Sequence, residues 1–219
     1  MTFVLIHGAG DSAWYWHLVE PELRSRGDDV VAMDLPCDDD SAGVSEYADA
    51  VVEAIGSRKD LVVVAQSFGG FTAPLVCERV QVDLLVLVAA MIPVPGEAPN
   101  DYWVNTGYET SNSEGEEGGE TADDIFYHDV PPDLAAEAKK RERKQSSARM
   151  GEPLPLKSWP DVPTRVLLCR DDRLFPPDYM RRVVNERLGI APDEIDGGHC
   201  IALSRPQELA DRLVAYVTR

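Results

Sequence analysis

Long apolar runs are missing from this 219-residue sequence. No stretch reaches the ~18 uninterrupted apolar residues of a bilayer-spanning helix, which excludes such a helix. Lysine is scarce, five residues against sixteen arginines, and 22 aspartates help bring the net charge to −18. Nucleic acid and anionic membrane surfaces both require a basic face, so neither is expected as a partner. The four cysteines, Cys37, Cys77, Cys169 and Cys200, form no C-x-x-C pair. The chain opens directly on strand-like residues (MTFVLIHGAG), without the basic n-region of a secretory leader. Together these features predict reduced thiols in a cytoplasmic protein. Zinc-type spacing is missing too: there is no H-E-x-x-H, and Asp38-Asp39-Asp40 reads as a solvated turn. No metal and no cofactor are expected, and no motif sets an oligomeric state.

What is present is an alternation. Short, almost wholly apolar runs at 2–7, 30–33, 61–65, 82–89 and 164–169, with a brief sixth at 192–195, read as buried parallel strands. Between and after them, apolar residues at helical spacing predict helices over 12–26, 45–55, about 68–79, 178–188 and 206–217. Pro74 predicts a late start or a kink in the third of these. The pattern implies an α/β fold, a mainly parallel six-stranded sheet with helices on both faces. It lapses between Pro93 and Trp159, where no clear strand appears. The core is therefore assigned to 1–92 and 160–219, and 93–159 to a helical cap insertion. Within the insertion, 109–120 (ETSNSEGEEGGE) is acidic and Gly/Ser-rich, which predicts a mobile loop. Pro131-Pro132 opens a helix over 133–145, whose basic run at 139–144 reads as a solvated face.

The chemistry centres on residues 61–70, LVVVAQSFGG. An apolar strand that breaks sharply at a Ser into a helix holds that hydroxyl clear of the sheet, as in the G-x-S-x-G elbow. Here the motif is Ala65-Gln66-Ser67-Phe68-Gly69, with Ala in the first small position. Nucleophilic acyl transfer further needs a base, a carboxylate to orient it, and donors for the oxyanion. Asp171-Asp172 follows the 164–169 strand, and His199 follows Gly197-Gly198 after the last one. This is the Ser…Asp…His order of an α/β-hydrolase triad. The HGAG turn after the first strand places the Ala9 N–H beside that of Phe68 as the expected oxyanion hole.

A competing reading attaches to the same turn. Gly8-Ala9-Gly10-Asp11-Ser12-Ala13 fits G-x-G-x-x-A, and Asp34 stands where a ribose-binding acid would, the pattern of a nicotinamide-dependent reductase. His7 has no purpose there, and no Tyr is followed four residues later by the Lys that short-chain reductases use.

With Ser, Asp and His in place, the chain resembles the α/β-hydrolase superfamily along nearly its whole length. It is most similar to the small branch of plant methylesterases, hydroxynitrile lyases and related bacterial hydrolases. The matching segments are VLIHGAGDSAWYW, VVAMDLP, AQSFGG, RDDRLFP and GGHCIALSRPQELA. They are specific for fold and triad, and none is specific for a substrate. Members of this branch lack the superfamily's two leading strands, as this chain does. The family pattern D-x-x-x-P aligns with Asp172 and Pro176, which implies Asp172 as the triad acid with Asp171 as the fallback. The resemblance also implies that a lyase would carry Thr at position 8 and Lys at 200, the latter to hold cyanide. Gly8 and Cys200 therefore point to hydrolysis. Ser at the elbow points away from epoxide hydrolase or haloalkane dehalogenase chemistry, which needs a carboxylate nucleophile.

The expected activity is that of a serine esterase acting on a small, partly apolar ester. Tyr102, Trp103, Phe126 and Tyr127 of the cap are candidates for lining the substrate pocket. Trp14 and Trp16 are expected to pack the sheet, and Cys200 to be a buried filler. Two other readings share the scaffold: a lyase or cofactor-free oxidative enzyme, and a non-catalytic small-molecule binder.

Overall fold

A computed structural model describes residues 1–108 and 121–218. The expected mobility of 109–120 lies outside the described residues. Six strands form one sheet: β1 (Thr2–Ile6), β2 (Asp29–Ala32), β3 (Leu61–Ser67), β4 (Leu84–Ala90), β5 (Thr164–Cys169) and β6 (Asp193–Ile195). Their order is β2-β1-β3-β4-β5-β6, and every neighbouring pair is parallel. Parallel pairing requires crossovers, and the sheet is buried on both faces as a result.

Side chains alternate across the strands and feed two apolar layers. Val4, Val63, Ala65 and Leu87 point into one layer, with α2 (Val44–Ile55), α3 (Gly69–Arg79) and α7 (Pro177–Leu188) packed on it. Leu5, Val62, Val64 and Val88 point into the other, covered by α1 (Val19–Ser25) and α9 (Pro206–Val217). Period-two alternation through fully buried strands explains why the sequence shows unbroken apolar runs: both faces demand apolar residues.

The insertion supplies three short helices, α4 (Tyr102–Asn105), α5 (Ala122–Phe126) and α6 (Pro132–Arg141), and no strand among its described residues. A final short helix, α8 (Ile201–Ser204), follows the last strand. Among the described residues no helix is long and apolar enough to cross a membrane.

Three expectations need correction. Residues 12–26 are not one helix: a 3₁₀ turn (Ala13–Trp16) precedes α1, which begins so that Pro21 falls in its first turn. There a missing N–H leaves no intrahelical bond unmade. The helix expected over 133–145 stops at Arg141. Beyond it the backbone turns to other partners: Arg143 N–H bonds Gly10 O at 2.7 Å and Ser146 N–H bonds Cys37 O at 2.7 Å. The basic run is therefore half helix and half strap across the loops after β1 and β2. Pro74 neither delays nor ends α3, which runs through it.

Candidate active site

The sheet order places β1 between β2 and β3, so the chain leaves the carboxyl ends of β1 and β3 in different directions. A crevice opens at such a switch point. Ser67 closes β3 there with φ of +51°, a left-handed conformation that costs a non-glycine residue energy. The pairing with β4 slips at this point: Gln66 faces Val88 but Ser67 faces Ala90. The two glycines that follow are sterically required. A Cβ on Gly69 would lie 2.9 Å from His7 O, and one on Gly70 would lie 1.9 Å from Met91 O. Ala65 is fully buried beside β1 and needs only to be small.

The loop after β1 is braced by His7. Its Nε2 accepts the Leu35 N–H at 3.0 Å, and its Nδ1–H donates to Gly8 O at 2.7 Å. Burial holds this imidazole down at about 4, so it is a neutral strut. Gly8 then packs on the elbow, where a Cβ would meet Ser67 Cβ at 2.9 Å. Gln145 Oε1 takes the Gly10 N–H at 3.1 Å. The N–H groups of Ala9 and Phe68 have no protein acceptor among the described residues, and both residues line the cavity over Ser67. Asp34, the would-be ribose acid, instead accepts the Ala13 N–H at 2.8 Å. Asp38 and Asp40 are likewise engaged, with Arg143 and with Ser146.

Ser67, His199 and Asp172 come together. His199 Nε2 lies 3.0 Å from Ser67 Oγ, and His199 Nδ1 lies 2.9 Å from Asp172 Oδ2. Asp172 Oδ1 accepts the N–H groups of Leu174 and Phe175, each at 2.9 Å. Both the carboxylate and the imidazole are almost fully buried. The neighbouring Asp171 has a separate task, its Oδ2 accepting the Gly197 N–H at 3.0 Å. Phe126 and Phe175 set their rings edge-on to the imidazole at 5.4 and 5.3 Å. The arrangement can move a proton between the Ser67 hydroxyl and an imidazole whose far side is anchored to a carboxylate.

The cavity above measures about 630 Å³, within the ~300–1,000 Å³ usual for small-molecule pockets. Trp103, Phe126 and Tyr127 line it. Tyr102 does not: it is fully buried in the core, where its hydroxyl accepts the Ile92 N–H at 3.2 Å. Its ring meets Trp103 edge-on and backs the pocket from behind. Cys200 is buried and its thiol is pushed far up, chiefly by desolvation. Trp16 is in the core, while Trp14 stacks on His17 at 4.1 Å.

Several lining residues escaped the sequence reading. Phe175 lies inside the acid loop and was detectable there, between Asp172 and Pro176. Met91, Met150 and Gln145 come from segments with no periodicity, so no local signal marks them. Asp11 is the other surprise. Its carboxyl faces the cavity largely desolvated and is pushed up to about 6.

The chain is similar to known proteins along nearly its whole length. A profile of the Alpha/beta hydrolase family matches residues 3–212. Arabidopsis thaliana supplies two similar chains. Its alpha-hydroxynitrile lyase is 26% identical over 99% of this chain and 96% of its own. Its methylesterase 2 is 24% identical over 97% and 94%. Among solved structures, polyneuridine aldehyde esterase superposes with a TM-score of 0.83 at 20% identity, covering 99% of this chain and 98% of its own. With the profile spanning all six strands and every elbow and loop described above, the chain belongs to the alpha/beta hydrolase family.

Proposed function

We propose that the protein is a serine esterase for small, partly apolar carboxylic esters. The observation that carries this reading is the hydrogen-bonded line from Ser67 Oγ through His199 to Asp172, at 3.0 and 2.9 Å, opening on the cavity. Ser67 attacks the ester carbonyl while His199 Nε2 takes its proton. The negative oxygen that forms is held by the N–H groups of Ala9 and Phe68, the latter at the amino end of α3. His199 then protonates the departing alcohol, leaving an acyl-Ser67. Water, deprotonated by His199, attacks the acyl carbon; the bond to Ser67 Oγ breaks, His199 returns its proton to that oxygen, and the acid is released. Asp172 holds the imidazole in the Nδ1–H tautomer and stabilises its charged form.

The insertion 93–159 acts as the cap of this site. Trp103, Phe126 and Tyr127 supply apolar wall, which matches an ester with an apolar acyl or alcohol part. Small-molecule esters are the proposed partners, with no role for nucleic acid.

A fluorophosphonate should modify Ser67, identified by peptide mapping, and p-nitrophenyl acetate hydrolysis should vanish in Ser67→Ala. An unlabelled Ser67 would overturn the reading. The hydroxynitrile lyase among the relatives favours a second chemistry, cyanohydrin cleavage on the same Ser and His. Gly8 and Cys200 stand against it. Release of cyanide from mandelonitrile, lost in Ser67→Ala and without any esterase activity, would establish that alternative.

A further inference from the structure

The three residues at the base of the proposed mechanism, Gly197-Gly198-His199, form a short loop held by side chains from three separate parts of the chain. Asp171, beside the triad acid, takes the Gly197 N–H. Gln66, beside the nucleophile, donates its Nε2 to His199 O at 3.3 Å. The Gly198 N–H goes to Asp129 Oδ2 at 2.7 Å, the shortest of the three. Asp129 belongs to the insertion, in the connection between α5 and α6.

That contact is closely fitted. A Cβ on Gly198 would lie 2.6 Å from both Asp129 Oδ1 and His128 Nε2, so the insertion rests directly on the Gly198 peptide. Asp129 Oδ1 is buried and unpartnered, so the Gly198 N–H is this carboxylate's one hydrogen-bond donor among the described residues. Neighbouring contacts fix this part of the insertion to the acid loop: His128 Nε2–H donates to Asp171 O at 2.9 Å, and Arg173 Nη1 donates to Asp124 O in α5 at 3.0 Å. The Gly197–Gly198 peptide so held lies one residue before His199, and glycine offers no side-chain resistance to its rotation. Turning that peptide swings the imidazole away from Ser67 Oγ.

We propose that Asp129 is a positioning residue for His199, so that the insertion sets the geometry of proton transfer as well as enclosing substrate. The proposal rests on the serine-esterase reading. It follows that disturbing this contact lowers turnover more than substrate affinity.

The test uses three substitutions in the full-length protein, with fluorophosphonate labelling and ester hydrolysis measured in parallel. Asp129→Ala removes the acceptor, and a displaced catalytic group should lower kcat by about 10- to 100-fold. KM should stay within about threefold, because the lost interaction is not one with substrate. Asp129→Asn keeps an oxygen for the Gly198 N–H and should stay within about fivefold of the parent. Asp129→Glu keeps the charge but is one methylene too long for a space where even a Cβ on Gly198 would lie 2.6 Å from the carboxylate, and should fall with the Ala variant. The Asn and Glu variants keep the question open to test if Asp129→Ala does not fold. A Glu variant that retains activity while Asn loses it would overturn the proposal, because charge would then matter and not the bond. So would an effect confined to KM, or an unchanged labelling rate in Asp129→Ala. Failure of the parent protein to label would instead sink the esterase reading itself.

Discussion

The cavity has two walls, and they are built differently. The sheet wall consists of loops after β1, β3, β5 and β6, and each is fixed by backbone bonding or close backbone contact. Gly69 and Gly70 touch neighbouring carbonyls, His7 bridges two loops, and Asp172 accepts two N–H groups before it reaches His199. Apart from the backbone strap at Arg143 and Ser146, the insertion wall relies on side chains. Trp103, Tyr108, Phe175 and Tyr179 form a chain of ring contacts, and Glu97 pairs with Arg187 beneath them. Backbone bonding suits atoms that must be held to fractions of an ångström, as proton transfer requires. Side-chain walls suit shape, which can change without moving the sheet. In the proposed esterase, chemistry belongs to the first wall and selectivity to the second, with Asp129 and the strap after α6 joining them.

The sharpest way to probe this division is at the sheet wall. Ser67→Ala or His199→Ala should lower kcat by about 10⁴-fold or more with the fold intact, checked by ester hydrolysis beside a thermal melt. The adjacent aspartates should separate by role. Asp172→Asn should approach that loss, about 10⁴-fold, because the amide favours the wrong imidazole tautomer. Asp171→Asn keeps an acceptor for Gly197 and should cost roughly tenfold or less. Equal losses at the two positions would erase the distinction drawn here.

Next in size is the fastening of the insertion. Glu97 has no exposed side-chain surface and Arg187 has 11%. Burial pushes the Glu97 carboxyl up, but hydrogen bonds from Arg187 and Asn105 overcome it and leave it below the usual carboxylate range. Glu97→Ala strands a buried guanidinium and should cost about 3–5 kcal/mol in urea unfolding. A loss below about 1 kcal/mol would mean that the rings carry this wall without the ion pair.

A smaller effect lies within the loop after β1. Asp11, raised to about 6 by desolvation, binds its proton in the folded state while the unfolded chain has lost it. Between about pH 4 and 6, then, Asp11 makes stability fall as pH rises. His7, lowered to about 4 by burial, does the opposite: the unfolded chain binds the extra proton, so stability rises between about pH 4 and 6.5. The two slopes nearly cancel in the parent. Asp11→Asn keeps an acceptor for the Ser12 N–H. It should stabilise the protein by about 3 kcal/mol at pH 8 and by almost nothing near pH 4. Urea melts of variant and parent across pH check it, and a difference that does not vary with pH would refute the assignment.

The smallest effect belongs to the second wall. Trp103→Ala enlarges the pocket and should shift the kcat/KM ratio between long and short acyl esters by about tenfold. Activity on acetate esters should change little, because no bond to the triad is lost.

Strand alternation, the Ser67 turn and the order of Ser, Asp and His were readable because each is local. A strand buried on both faces must be continuously apolar, and a sharp turn needs small residues at fixed offsets. The choice between Asp171 and Asp172 was readable only through a spacing. The structure sharpens it by showing that successive side chains of one loop point to different partners. The late start expected from Pro74 does not occur, because the buried face of α3, packed on one side of the sheet, outweighs one missing hydrogen bond.

What the chain order alone could not decide is where the insertion rests. Tyr102 and Trp103 are adjacent aromatics in the same short helix, and only packing sends one into the core and the other into the cavity. Asp129, Gln145 and Arg143 carry no periodic signal, since each acts on a backbone group 69, 135 or 108 residues away. Ser67 ends β3, and Asp172 and His199 follow the ends of β5 and β6 by three and four residues, so the apolar pattern brings each within a turn of its place. Their alignment, and the wall that faces them, depend on contacts between distant segments that come together only when the sheet is complete.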